Sequence, residues 1–148
     1  MKLSTSWQGK MRFEATDGTN VTVMDAPPPF GEGRALSPKQ LCLASICGCT
    51  AIDIVSWLKK KRQEPTSLKV DADAPITKGY PAVFAHVTLD FYAEGAVEPA
   101  ALIDAVDQSQ TLYCGVSAMI AKACPVKFRV HLNGQEIHAG EAAFPEAQ

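Results

Sequence analysis

Short stretches of alternating apolar and polar residues open the chain and predict β-strands. The alternation covers residues 3–7 and 11–15 and begins again at residues 21–23, with Asp17-Gly18 as a turn between the last two stretches. A period of two places the apolar side chains on one face of a strand. We therefore predict a three-stranded antiparallel meander with one apolar face.

A proline-rich segment separates this meander from a long helix. Residues 25–37 contain three consecutive prolines and two glycines, a composition typical of a loop. Three start signals follow, because Ser37 can cap a helix, Pro38 fits its first position and Gln40 can complete a capping box. The pattern predicts a helix that ends near Arg62 in a basic last turn, which complements the helix dipole.

The first half of the predicted helix is apolar or small on every side. Residues 41–52 carry no charged side chain. A helix of this kind is buried on all sides or crosses a membrane. Gly48, Asp53 and several small polar side chains make it a poor membrane span. Because a small sheet cannot cover all of its faces, we predict a homodimer in which a second chain covers part of this central helix.

The second half of the chain alternates again and predicts a sheet with two helices. The first helix begins at Pro99 and the second near Cys114, and Pro125 ends the second. Asn133-Gly134 is a strong hairpin signal. The order βββ-α-ββ-αα-ββ indicates an α+β fold without a doubly wound parallel sheet, in a single domain over residues 1–148. The predicted strands cover residues 68–72, 87–91, 128–132 and 136–138.

Composition and charge exclude some classes of partner. The chain is 47% hydrophobic and 20% charged, with a formal net charge of −2, so nothing favours binding to nucleic acid. The first residues lack the apolar run of a secretory signal, and we expect a cytoplasmic protein that does not associate with membranes. In a reducing compartment the five cysteines are expected to be thiols, and a disulfide among them would be transient.

The cysteines differ in what their positions imply. The side chains of Cys47 and Cys49 would point about 200° apart around a helix, which makes them a poor metal site. The histidines lack the short spacings of a zinc site and are interpreted as surface residues. We therefore predict neither a metal nor another cofactor. Cys42, Cys47 and Cys124 are interpreted as packing residues, and the hydrophobic pattern alone allows the same for Cys49. Cys114 lies at a helix start, where backbone N–H groups and the dipole lower the pKa of a thiol.

Two segments resemble the OsmC/Ohr superfamily. They are "SPKQLCLASICGCTAIDIVSWLKKKRQ", residues 37–63, and "VDQSQTLYCGVSAMIAKA", residues 106–123. They look like the OsmC-like branch, which carries a G-C-(S/T)-A-I-D segment and a Y-C-x-V-(S/A)-x-M segment. The resemblance implies an OsmC-like α+β fold: an N-terminal antiparallel meander, a long buried central helix and a second sheet with two further helices. It also implies an intertwined homodimer with its active sites at the interface.

The activity that this resemblance implies is a hydroperoxide reductase of the oxidative stress response. Cys49, as a thiolate, would attack the O–O bond of an organic hydroperoxide, and Cys114 would resolve the sulfenic acid as a disulfide. A dithiol reductant would then open that disulfide. Because organic peroxides are largely apolar, a pocket lined by residues such as Phe30, Leu36 and Met119 would suit them.

One part of the Ohr pattern is missing. Ohr enzymes pair the thiolate with an arginine of the N-terminal strands, held by a glutamate directly after the helix-start proline. Here Lys39 follows that proline, so the arginine–glutamate pair of the Ohr enzymes is absent in that form. Arg12 and Arg34 are the candidate arginines, and Lys39 is another candidate cation. Asp53, four residues after Cys49, adds a negative charge to the same helix.

Two alternatives to the peroxidase therefore stay open. The first is a non-catalytic OsmC-like dimer that binds an apolar small molecule in the same pocket or senses redox state. The second is a metal-binding dimer that uses cysteines of the long helix.

Overall fold

In the computed structural model, which describes residues 1–145, the N-terminal alternation forms the predicted meander. All three strands are antiparallel, in the order β1-β2-β3. Ala15 is buried, whereas Leu3, Trp7 and Val21 are mostly exposed. The strands are β1 (Ser4–Trp7), β2 (Phe13–Thr16) and β3 (Val21–Met24).

The proline-rich loop is organised around a buried carboxylate. Asp25 accepts hydrogen bonds from the backbone N–H groups of Glu32 and Arg34, each at 3.2 Å. The Arg34 N–H bond is the main cause that holds the pKa of Asp25 below its usual value. Gly31 lies so close to Ala26 that a Cβ there would stand 2.0 Å from the Ala26 carbonyl oxygen. The loop therefore has a defined conformation that depends on Asp25 and on a glycine.

The long helix α1 (Pro38–Lys60) begins with the predicted capping box. The Ser37 N–H donates to Gln40 Oε1 at 2.8 Å, and the Gln40 N–H donates to Ser37 Oγ at 3.4 Å. Lys59 and Lys60 lie in the last turn, where cations complement the helix dipole. The chain divides into two compact units, Met1–Ala44 and Ser45–Gln148, and α1 begins in the first and continues in the second.

Ser37→Ala is expected to lower the free energy of unfolding by about 1 kcal/mol, since the Gln40 N–H loses its acceptor at the start of α1. Urea denaturation of the variant and the parent measures the difference. Ser56→Ala, at an exposed position inside α1, is the control and should cost nothing, because alanine is the better helix former. Equal stability of Ser37→Ala and the parent would show that the capping box contributes nothing.

The second unit contains a four-stranded sheet of order β4-β5-β6-β7. The outer pairs are antiparallel, whereas β5 and β6 run parallel, with Phe91 opposite Val130. The chain between β5 and β6 forms α2 and α3 and so makes a crossover. The α+β prediction is confirmed, but the hydrophobic pattern did not predict this parallel pair. The elements are β4 (Ser67–Asp73), β5 (Val87–Glu94), α2 (Pro99–Gln108), α3 (Gly115–Ala121), β6 (Val126–Leu132) and β7 (Gln135–Glu141).

The burial of α1 follows one stripe. Ile46, Thr50, Ile54 and Leu58 recur every four residues and are fully buried. Ile52, on another side of the helix, is 72% exposed. The long central helix is thus confirmed, but a single chain buries it along one face.

By length and apolar composition, α1 could cross a membrane, as could the core helix of a globular domain. Its buried stripe and the hydrogen-bonded Asp53 side chain are typical of a helix in a packed domain.

Candidate functional site

Two cysteines that are distant in the sequence meet beside α1. Cys49 lies half-buried on α1, and Asp53 follows one turn later on the same side. Cys114 lies fully buried at the start of α3. The two Sγ atoms and a carboxylate oxygen of Asp53 all lie within 4.8 Å of one another. Both cysteines are thiols in this structure.

A π-helical segment, Ser109–Tyr113, brings Cys114 to this position. The Cys114 N–H donates to the Ser109 carbonyl at 3.0 Å, and the backbone then turns to an extended conformation at Cys114. Cys114 caps α3, because its Sγ accepts the Ser117 N–H at 3.3 Å. A π-helical turn changes the register of the side chains that follow it and is frequent at functional sites. The hydrophobic pattern does not predict this π-helical segment, because the residues of the segment follow the same pattern as a continued α-helix.

Ser109 connects the two sides of the site. Its hydroxyl donates to Asp53 Oδ2 at 3.0 Å, while its carbonyl accepts the Cys114 N–H. Ser109 is fully buried, whereas Asp53, at the other end of the first bond, is half-buried. Ser109 thus fixes the Asp53 carboxylate relative to Cys114. This residue was not among the predicted site residues, because a serine in a helical pattern carries no distinctive signal.

A second polar pair lies behind Cys114. The Ser117 hydroxyl donates to Gln110 Oε1 at 2.7 Å, and both residues are fully buried. Within residues 1–145, Gln110 Nε2 has no hydrogen-bond partner.

Burial controls the protonation of Cys114. The pKa of the Cys114 thiol is raised to about 12. Removal from water is the largest cause, and nearby Cys49 and Asp53 also raise it. The Ser117 N–H acts in the opposite direction but is outweighed. The expectation of a lowered pKa at this helix start is therefore wrong, because desolvation exceeds the effect of the backbone N–H groups. At neutral pH Cys114 is a neutral thiol.

Cys47 has a different environment from Cys49, although the two are close in sequence. Burial, and then the charge of Asp71, raises the pKa of the Cys47 thiol. It lies outside the cluster formed by Cys49, Asp53 and Cys114. These properties agree with the interpretation of Cys47 as a packing residue.

The first unit supplies an acidic partner for one candidate arginine. Arg34 Nε lies 3.8 Å from Glu32, whose carboxylate also accepts a hydrogen bond from Lys10 Nζ at 2.7 Å. The Lys10 bond and the charge of Arg34 lower the pKa of Glu32. The family pattern places this acid at the position of Lys39, and nothing in the sequence pointed to Glu32.

The remaining candidate residues are exposed. Phe30, Leu36, Lys39 and Arg12 belong to the first unit, and Met119 lies on α3 of the second. Their roles at a binding pocket stay predictions.

Two histidines are hydrogen-bonded to aspartates and partly buried, not simple surface residues. His131 Nε2 lies 3.1 Å from Asp90, and its ring stacks on Tyr92. His138 Nε2 lies 3.0 Å from Asp107. Neither belongs to the cluster around Cys49.

The site offers two kinds of chemistry. Two adjacent thiols can form a disulfide if the sulfur atoms approach to about 2.05 Å. With Asp53, the same sulfurs also provide three donor atoms for a cation.

Comparisons with known proteins agree on one family and one fold. A family model described as "OsmC-like protein" matches residues 31–129. The curated protein YhfA of Escherichia coli is 37% identical over 91 residues, which cover 61% of this chain and 68% of YhfA.

Solved structures extend the likeness to most of the chain. A hypothetical protein from Aquifex aeolicus VF5 has a TM-score of 0.81 at 25% identity, with 91% of this chain and 97% of that chain covered. An organic hydroperoxide resistance protein, OsmC, from Legionella pneumophila has a TM-score of 0.61 at 20% identity, with 88% of this chain and 94% of that chain covered. At that identity the second likeness shows the fold alone.

Proposed function

This chain belongs to the OsmC-like protein family, as its two motifs predicted, and from that premise we propose that it reduces organic hydroperoxides through Cys49 and Cys114. The observation that carries the proposal is the approach of the two sulfur atoms to within 4.8 Å. The similar fold of the protein from Legionella pneumophila, which is described as an organic hydroperoxide resistance protein, supports the choice of substrate class.

Cys49 takes the part of the attacking thiol. It is half-buried and so reachable by a substrate, whereas Cys114 is fully buried. The Cys49 thiolate attacks one oxygen of the hydroperoxide and the O–O bond breaks. Cys49 becomes a sulfenic acid, and the departing alkoxide takes a proton to leave as an alcohol.

Cys114 takes the part of the resolving thiol. Its sulfur attacks the sulfenic sulfur, an S–S bond forms, and the hydroxyl group leaves with the Cys114 proton as water. The raised pKa of Cys114 keeps it protonated at neutral pH, so it does not compete with Cys49 for the peroxide. A dithiol reductant then returns both residues to thiols.

The attacking thiolate needs a cation or hydrogen-bond donors near it. Arg12, Arg34 and Lys39 are the residues that we propose for this role. We place the activity in the cytoplasm, where thiol reductants keep the pair reduced.

The proposed reaction is tested by stopped-flow measurement of cumene hydroperoxide consumption, with the protein in catalytic amounts and a dithiol as reductant. We expect many turnovers per chain. Consumption no faster than that of the dithiol alone would contradict the proposal.

A specific feature of the first unit favours a second candidate function, the binding of an apolar small molecule. An open hollow of about 500 Å³ lies there, and its lining includes the large apolar side chains of Leu3, Val21, Met24 and Leu41. That volume is within the usual range for small-molecule sites. Binding of a hydrophobic fluorophore, together with no reaction with hydroperoxide, would favour this function over the peroxidase.

We also propose that the chain acts as a homodimer. Several large apolar side chains close in sequence to the two thiols are exposed in one chain, namely Ile52, Leu112, Tyr113 and Met119. A second copy that covers them would also shield the thiol pair from water.

Ile52→Asp is expected to shift the protein from dimer to monomer at micromolar concentration, because a carboxylate replaces an apolar side chain that the partner would bury. Analytical ultracentrifugation measures the change. Gln135→Asp, exposed at the start of β7 and distant in sequence from the two thiols, serves as the control. An Ile52→Asp variant with the same sedimentation as the parent would exclude this part of the surface from the interface.

A further inference from the structure

Two donors on α1 and a third from the start of α3 have the arrangement of a metal site. Cys49 and Asp53 are four residues apart and share one helix face, the spacing at which helical residues hold a metal together. Cys114 approaches from a different element, and the three donor atoms lie within 4.8 Å of one another. We propose that the reduced protein binds one Zn²⁺ ion through Cys49 Sγ, Cys114 Sγ and a carboxylate oxygen of Asp53.

The donor set selects the metal. Two thiolates favour a thiophilic cation over Mg²⁺ or Ca²⁺, which bind oxygen. In tetrahedral coordination, with Zn–S about 2.3 Å and Zn–O about 2.1 Å, the donors stand about 3.6–3.8 Å apart. The distances between the donor atoms therefore need to shorten by about 1.2 Å at most. Three protein ligands leave a fourth position for water or another small ligand.

The groups around the donors orient them for an ion. The Ser109 hydroxyl donates to Asp53 Oδ2 and so holds the carboxylate in place. The Ser117 N–H donates to Cys114 Sγ and would stabilise a bound thiolate. Hydrogen bonds of this kind orient metal ligands and tune their basicity. The half-exposed Cys49 and Asp53 provide the route of entry.

Binding leaves only one net negative charge at the site. Binding releases one proton from each thiol, so that two thiolates and one carboxylate surround a dication. The ion thereby offsets the mutual repulsion of three negative groups. This site differs from the Cys47–Cys49 pair that the spacing excluded, because its second sulfur comes from outside α1.

Zinc and the disulfide require the same two sulfur atoms. Bound zinc would protect the thiols from oxidation and prevent reaction with peroxide, and formation of the disulfide would release the ion. This consequence rests on the proposed function, whereas metal binding by the reduced site does not.

The experiment is an anaerobic titration of the reduced, metal-free chain with Co²⁺, which reports thiolate ligands by charge-transfer absorption. We expect one Co²⁺ per chain and loss of the absorption when Zn²⁺ displaces it. Cys49→Ser should lower the affinity more than any change to a residue that only orients a ligand, and it should reduce the sulfur absorption, because it removes one of the two thiolate ligands. Ser109→Ala should weaken binding by about 10- to 100-fold without changing the sulfur absorption at saturation.

Cys47→Ser is the matched control, because it removes another half-buried cysteine of α1 and should leave the titration unchanged. Absence of charge-transfer absorption in the parent would overturn the proposal, as would retention of full binding in Cys49→Ser. Because Cys49 is half-exposed, Cys49→Ser should fold, and it tests the metal site even if replacement of the buried Cys114 by serine prevents folding. If the protein bound Co²⁺ but formed no disulfide with peroxide, the proposed peroxidase activity would be wrong and the metal site would stand. If it formed the disulfide but bound no Co²⁺, only the metal site would be wrong.

Discussion

Cys49→Ser is expected to lower the rate of hydroperoxide consumption by at least about a thousandfold, because removal of a catalytic nucleophile leaves little of the original rate. A serine hydroxyl is not ionised at neutral pH and cannot form a sulfenic acid. Stopped-flow measurement with cumene hydroperoxide and a dithiol reductant gives the rates of variant and parent.

Cys47→Ser provides the comparison for this result. Cys47 lies on the same helix, is similarly half-buried, and has a thiol whose pKa burial raises. Its loss should leave the rate close to that of the parent. If Cys49→Ser consumed peroxide as fast as the parent, Cys49 would not be the attacking thiol.

Cys114→Ser is expected to change the product of oxidation. In the absence of reductant, the parent treated with one equivalent of hydroperoxide should form close to one disulfide per chain. The variant has no second sulfur beside Cys49, so the sulfenic acid should persist and, with excess peroxide, proceed to the sulfinic acid. Intact-mass measurement separates these outcomes, because a disulfide loses two hydrogens whereas the acids gain one or two oxygens.

Cys124→Ser is the control for removal of another buried cysteine of the second unit. It should form the disulfide in the same yield as the parent. A normal yield of intramolecular disulfide in Cys114→Ser would show that a different cysteine resolves the sulfenic acid.

Local signals in the sequence predicted the elements of the fold well. The capping box at Ser37 and Gln40 was predicted from residue types that satisfy one another across a single turn. Asn133 and Gly134 both adopt positive φ, as their hairpin signal requires. Such features depend on neighbours in the chain, so the sequence specifies them directly.

Features that depend on tertiary contacts could not be predicted in this way. One is the parallel pairing of β5 with β6, which joins segments that are distant in the chain. The pKa of Cys114 was predicted in the wrong direction for the same reason, because a helix start is visible in the sequence whereas desolvation is not.

The candidate site was predictable only in part. The residue pattern alone left Cys49 as a packing residue, and the family resemblance was what paired it with Cys114. Neither source indicated that Ser109 holds Asp53 or that Glu32 pairs with Arg34. These partners are ordinary residue types whose importance lies in where the fold places them.

The most direct test of a thiol pair that works by oxidation is to react the reduced chain with one equivalent of organic hydroperoxide and to map the product by mass spectrometry. The proposed function predicts a loss of two hydrogens per chain and a cross-linked peptide that joins Cys49 to Cys114. An unchanged mass, or a disulfide that omits either of these residues, would contradict it.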